Sequence, residues 1–397
     1  MQVDHRKNLQ FVILTSVIFL TTYALYTFSQ NTFQDYIFGH HVEILTIPHA
    51  NIMALYLSIL IQLLCILKSL QSTIRQRWLM LGLIVGLIFV LSTNISVVEY
   101  PLIPGLSNSI FDLTEPWRQL YVPPVWRATI EGVTASLAGM LDLLSIDVES
   151  YMSSHLSQKR RYFTMAFLML LLFLFAILTR RIKPITLKNS ANQLKYNIWT
   201  ILKTYPYIFI ACLFSGFNTG IFANAYMLAK EVLPDFPVKY YQYAVNVGSI
   251  IGPFVVGWVA DRKGIFLVLI WLFLLVIPVK MLTALVFFVE FEQSPHFYYL
   301  VAGIEGALAA GFWLLNISLV GERLRFNGIF RMSALSNLFF GLGLMSFFRI
   351  FEFFSYSFLH LKIVIGLINF FALGVLWYYY QKFPTEESSS SALVTDK

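Results

Sequence analysis

Along the chain, apolar residues come in long unbroken runs rather than in the alternating or one-faced patterns of a soluble domain. Ten runs, at 9–29, 45–67, 78–97, 162–179, 204–229, 240–260, 265–289, 297–320, 331–351 and 360–380, approach or exceed the ~20 apolar residues a helix needs to cross a bilayer. Two weaker stretches carry charge: Asp112, Glu115 and Arg118 in 104–122, and Arg127, Glu131 and Asp142 in 127–146. Helices facing a polar interior rather than lipid would account for both. The pattern predicts an all-α polytopic membrane protein of about twelve transmembrane helices. The run 9–29 is long for a secretory signal and has no small-residue cleavage site before Gln30, so it is expected to remain as the first span.

Composition sharpens this picture. Of 397 residues 58% are hydrophobic and 12% charged, far from the roughly 25% charged residues of a soluble domain. Phe is the commonest aromatic, with 37 against 21 Tyr and 8 Trp, which suits lipid contact better than base stacking. The net charge of +7 therefore points to basic cytoplasmic loops and not to nucleic acid. With twelve crossings and both termini cytoplasmic, most of the 28 Lys and Arg fall inside; Lys159, Arg160, Arg161, Lys230, Lys239, Arg349 and Lys362 fall outside, and Lys280 lies within a span. The one marked internal boundary is polar and basic, with Arg180, Arg181, Lys183, Lys188, Lys195 and Lys203. It divides the chain into a six-helix bundle over 1–180, a cytoplasmic linker over 181–203, a second six-helix bundle over 204–384 and a polar tail over 385–397. Cys65 and Cys212 both lie in apolar runs and read as packing residues.

A motif closes the eighth span: Gly252-Pro253-Phe-Val-Val-Gly257-Trp-Val-Ala-Asp261-Arg262-Lys263-Gly264. A Gly that lets helices approach, then Asp-Arg in a tight turn closed by Gly, suits a cytoplasmic hairpin whose carboxylate caps a neighbouring helix and pairs with Arg. At these residues the chain resembles the major facilitator superfamily, whose signature Gly-x-x-x-Asp-Arg-x-Gly recurs in the loops after the second and eighth spans. Gly257, Asp261, Arg262 and Gly264 match it. The loop Lys68 to Arg77 keeps positive charge but has neither Asp-Arg nor Gly, and Ile265 and Phe266 replace the basic residues that usually follow. The resemblance implies two related bundles that rock about a mid-membrane site, with these residues forming a gate. A shorter likeness, confined to Glu115 through Pro123 and Arg127 to Glu131, is to nucleotide-exchange translocases and spans too few residues to carry a function.

Polar residues within spans are the remaining candidates. Glu305 sits in Ala302-Gly303-Ile-Glu305-Gly306-Ala307, offset from a small-residue face made by Gly303, Ala307 and Gly311. A buried carboxylate there suits a coupling proton, and equally a pair with a neighbouring helix. Lys280 reads as a pairing or snorkelling cation, with a direct solute role as the less favoured alternative. Glu131 and Asp142 fall near one face of the fifth span; Asn51, Asn218 and Asn224 could hydrogen-bond a solute, and Tyr23 could line a cavity wall. His40, His41, Glu43 and His49 have metal-ligand chemistry, but no second cluster completes a set, so no metal and no cofactor is expected. No phosphate loop, HExxH pair or Gly-x-Ser-x-Gly elbow supports an enzyme.

The expectation is a monomeric secondary transporter of a small solute, compatible with proton coupling, multi-pass in a bacterial inner membrane. The alternative is a non-transporting scaffold or lipid-handling protein on a degenerate transporter fold. Cysteine labelling from outside sealed cells should reach a residue placed at 236 and spare residues placed at 188 and 263; labelling at 263 would overturn the topology.

Overall fold

A computed structural model provides the architecture and describes residues 9–24, 46–66, 73–92, 102–155, 198–232, 238–286, 295–323, 329–353 and 358–382, with residues 27, 167, 170, 171, 174, 177 and 178. All regular structure among them is helical. The helices are α1 (Leu9–Ala24), α2 (Thr46–Ile66), α3 (Thr73–Ser92), α4 (Leu102–Tyr121), α5 (Arg127–His155), α6 (Ile198–Thr204), α7 (Pro206–Val232), α8 (Val238–Lys263), α9 (Ile265–Val286), α10 (Pro295–Arg323), α11 (Ile329–Phe353) and α12 (Phe358–Lys382). The short α6 follows the basic stretch of the sequence and meets α7 at 83°. The turn falls at Tyr205, with Pro206 at the first position of α7, where a missing N–H costs nothing.

By length and composition, four described helices can cross a bilayer: Tyr240–Lys263, Ile265–Leu282, His296–Val320 and Val364–Lys382, or five if the bent pair Ile198–Thr204 and Pro206–Thr219 is one span. This is fewer than the ten clear runs of the sequence. In α1, α2, α3 and α11 the described apolar part is shorter, as in Leu55–Leu64 and Trp78–Leu87, while α4 and α5 carry charge. Much of the fourth run, 162–179, and His40, His41 and Glu43 fall outside the described residues.

Large apolar side chains appear both inside and outside. Phe273, Phe312 and Phe347 are buried, while Leu274, Leu275, Phe370 and Phe371 on the same helices or their neighbours are exposed. A helix that is apolar all round needs an apolar solvent on its outer face, and that solvent is lipid. In α4 and α5 the pattern is reversed: Ser107, Ser109, Thr114, Glu115, Arg118, Gln119, Arg127, Glu131 and Thr134 are all buried. The two weakly apolar stretches thus form helices with their polar groups turned inward.

α8 lies between α5 and α10 and packs closely on both. On one side, a Cβ added at Gly257 would collide with the Ala128 carbonyl and one at Gly132 with the Pro253 carbonyl. On the other, Gly248 meets the Gly303 backbone and Gly306 meets the Val245 backbone. Such backbone-to-backbone approach is how helices associate where lipid removes the hydrophobic drive. The expected face of Gly303, Ala307 and Gly311 divides its contacts. Ala307 packs on Gly252, Gly311 faces the Val256 and Leu272 side chains, and the tight position is Gly306, one residue off that stripe. Elsewhere α2 packs on α4 and α11, α3 on α4, α7 on α10 and α11, and α9 on α10 and α12.

Gly132→Ala and Gly257→Ala should each destabilise the protein by about 1–3 kcal/mol through overpacking. Gly374→Ala, where a Cβ meets nothing within 4 Å, should be neutral or stabilising by up to ~1 kcal/mol. Thermal unfolding in detergent reads the contrast, and equal shifts for all three would contradict the close approach.

Candidate functional site

At the end of α8 the chain reverses through Gly264, whose φ of 91° lies in the left-handed region that glycine adopts without strain. The Gly264 N–H donates to the Ala260 carbonyl at 2.9 Å, and the Gly264 carbonyl accepts from Val268 N–H at 3.2 Å. This tight reversal fixes Asp261 beside the first turn of α5. There its Oδ1 accepts from Ala128 N–H at 3.0 Å, and its Oδ2 from Thr129 N–H at 2.7 Å and the Thr129 hydroxyl at 2.6 Å. The first N–H groups of a helix have no partner within it, and the helix dipole favours negative charge there. Asp261 is therefore an N-cap supplied from a residue over a hundred positions away. Arg262 lies over the Trp258 ring, 3.6 Å from its centroid, a cation–π contact one turn back on its own helix. Pairing of Arg262 with Asp261 is not part of this geometry.

The start of α5 is itself set by a short turn. α4 ends as Val122 N–H donates to the Arg118 carbonyl at 3.0 Å, and a single 3₁₀ turn, Pro124–Trp126, leads into Arg127. α4 and α5 are thus joined by a turn of only a few residues. Between them Arg118 clasps Glu131: Nε lies 3.0 and 3.1 Å from the two carboxylate oxygens and Nη2 2.8 Å from Oε2, with the side chains 1% and 3% exposed. Gln119 Nε2 donates to Glu131 Oε1 at 3.3 Å, and Arg118 Nη1 donates to the Thr114 hydroxyl at 3.3 Å. A planar guanidinium held by two oxygens and a hydroxyl satisfies the buried charge, which an unpaired arginine could not. Deeper in the same region Gln62 on α2 donates to Asp112 on α4. Asp142 on α5 accepts from the Tyr23 hydroxyl at 2.6 Å and the Thr27 hydroxyl at 2.8 Å.

Four aromatic rings from three helices meet nearby. Phe19 stacks on Trp313 at 5.7 Å, and Phe111 lies 5.0 Å from Phe19 and 5.6 Å from Tyr23. Arg118 lies 5.0 Å from the Phe19 centroid. One turn from Trp313 on α10, Asn316 is buried, and neither of its side-chain polar atoms has a hydrogen-bond partner among the described residues.

In the other half Glu305 on α10 accepts from Lys280 Nζ on α9 at 2.6 Å and from the Tyr241 hydroxyl on α8 at 2.9 Å. Lys280 and Glu305 are 3% and 1% exposed. Asn218 on α7 donates to Asn369 Oδ1 on α12 at 2.7 Å. Of the residues singled out by sequence, the structure thus joins Glu305 to Lys280, and Tyr23 to Asp142. It leaves Asn218 in an interhelical amide pair and Glu131 in an ion pair. Asn51 and Asn224 lie in α2 and α7, with side chains outside the description. Two roles were not read from the sequence: the Arg118 clasp, and the contact of Glu115 with Ser333 and Asn337 on α11. The signal for both was charge in a weakly apolar stretch, without any indication of partner. No group of three or more His, Cys, Asp or Glu side chains that could hold a metal ion occurs among the described residues.

No family model matches the sequence, and no curated protein matches it at a significant level. Solved structures do match in shape. A bacterial homologue of the iron transporter ferroportin, in its outward-facing state, superposes with a TM-score of 0.68 at 12% identity, covering 94% of this chain and 99% of that one. The major facilitator superfamily transporter FucP, in its outward conformation, gives 0.68 at 14% identity over 95% of this chain and 99% of its own. A variant of the E. coli fucose:proton symporter FucP gives 0.61 at 14% identity, with the same coverage. Over nearly its whole length, the chain has the all-α polytopic fold of the major facilitator transporters.

Proposed function

We propose that the protein is a secondary active transporter that moves a small solute across the membrane by alternating access, and is not an enzyme. The observation that carries this reading is the Asp261 cap on α5. Its hydrogen bonds link α8 to α5 at one membrane face, and such bonds can be exchanged for water when the face opens. The shared fold with transporters supports the same reading.

The helix packing also supports two six-helix bundles, over 1–180 and 204–384, joined by the linker 181–203 and followed by the tail 385–397. Adding or subtracting six turns one set of contacts into the other: α5 on α8 corresponds to α11 on α2, α8 on α10 to α2 on α4, and α9 on α10 to α3 on α4. A duplicated bundle produces this correspondence. In this arrangement α5–α8 and α2–α11 are the seams between bundles, and the termini and the Gly264 turn lie on the cytoplasmic side of a bacterial inner membrane. The protein acts as a monomer. For the solute we propose the region between α1, α4 and α10, with Phe19, Tyr23 and Trp313 as wall and Asn316 as a polar contact.

Proton coupling would use a buried carboxylate. Glu305 and Glu131 are each held by a cation, so either can take up a proton only by releasing Lys280 or Arg118. Glu305→Gln is accordingly expected to remove the carboxylate that pairs with buried Lys280, at a cost of about 3–5 kcal/mol in stability. Accumulation and downhill exchange should fall together, and Lys280→Met in the same chain should recover much of the thermal midpoint. Loss of accumulation with exchange intact in a stable Glu305→Gln protein would instead assign the coupling proton to Glu305.

The function itself is tested by uptake of a solute panel into proteoliposomes, with and without a proton gradient. Uptake is expected, and Asp261→Asn should slow it several-fold while leaving solute binding unchanged. No uptake of any solute, together with fixed accessibility of both faces, would identify a scaffold on a transporter fold.

A further inference from the structure

The correspondence between bundles makes a demand that the sequence does not meet in the usual place. If Asp261 at the end of α8 caps α5, its counterpart at the end of α2 should supply an acid to α11. The segment from Lys68 to Arg77 contains no Asp or Glu. Yet the first turns of α11 do meet a carboxylate. Glu115, on α4, accepts from the Ser333 hydroxyl at 3.3 Å through Oε1 and from Asn337 Nδ2 at 3.3 Å through Oε2. Ser333 and Asn337 are one helical turn apart, so a single carboxylate can span them.

The contact lies on the same membrane face as the Asp261 cap. Only the 3₁₀ turn and its flanking residues separate the end of α4 from the start of α5, so the end of α4 and the capped end of α5 are together. Glu115 is six residues before Tyr121, about 9 Å below that end, and Ser333 is four residues into α11, about 6 Å from its own. The donors are chemically similar at both seams. Asp261 takes backbone amides and a threonine hydroxyl; Glu115 takes a serine hydroxyl and an asparagine amide. The buried ion pairs Arg118–Glu131 and Lys280–Glu305 both lie within a bundle. A carboxylate on neutral donors can part without leaving a buried cation unpaired, and parting is what a latch must do.

We propose that Glu115 is the second cytoplasmic latch of this transporter, a positioning residue that holds α4 to α11 in place of the acid missing from the loop after α2. The proposal rests on the alternating-access reading above. Glu115 is 3% exposed and Ser333 1%, so water is excluded from the contact while this face is closed.

Spin labels on Trp78→Cys of α3, in the first bundle, and Trp199→Cys of α6, the linker helix that leads into the second, both exposed positions, report the separation of the cytoplasmic ends in a chain with Cys65 and Cys212 replaced by Ala. The otherwise unaltered protein should show mainly the short distance. Glu115→Gln should raise the ratio of long to short distance about tenfold, and Asp261→Asn should do the same. Asn337→Ala should match Glu115→Gln, and the two together should open the face no further than either alone. Where Glu115→Gln fails to fold, Ser333→Ala and Asn337→Ala, which leave the carboxylate in place, carry the same expectation. An unchanged distribution in the Glu115, Ser333 and Asn337 variants, with Asp261→Asn opening the face, would overturn the latch alone. A distribution that no variant moves, Asp261→Asn included, would overturn the alternating-access reading and the latch with it.

Discussion

The structure depends on how closely α5 and α8 approach. Gly132 and Gly257 remove the side chains that would hold these helices apart, and only at that separation can the Asp261 carboxylate reach the first amides of α5 at hydrogen-bond distance. The same helix meets α10 through Gly248 and Gly306 on its other side. α8 thus joins the α5 contact to the α10 contact, and backbones touching at both leave little room for side-chain adjustment.

Charge is distributed by what each contact must do. Where helices should stay together, buried cations meet carboxylates: Arg118 with Glu131, and Lys280 with Glu305 and Tyr241. Separating such a pair is costly. Across the seams the carboxylates instead find amides and hydroxyls. On the proposed two-bundle arrangement, this division would leave each bundle stiff and the two separable, as rocking requires.

Much of this was legible in the sequence because a bilayer imposes a coarse rule: long apolar runs must be helices. The Gly257 to Gly264 turn was legible for a local reason, since a left-handed glycine and a capping acid act within a few residues. The neighbour that Asp261 caps was not, because Ala128 and Thr129 carry no chemical mark of being a helix start opposite it. Glu305 and Lys280 were each visible as ionisable groups within spans, but their meeting depends on the rotation of α9 against α10, which apolar runs without a polar face do not specify. Gly306 was missed in favour of Gly303 for the same reason: a stripe of small residues states that close contact occurs and leaves its register to the partner helix. Glu115 and Arg118 lie three residues apart on one helix and turn to different partners, α11 and α5, a distinction spacing alone does not encode.

The backbone contacts of α8 also bear on how relatives of this chain can be found. Acids and amides at a seam can be exchanged for other donors and acceptors. The absence of a side chain at 132, 248, 257 and 306 has no chemical substitute. A chain that retains this packing should retain those four glycines at the same spacing even when every charged residue has changed.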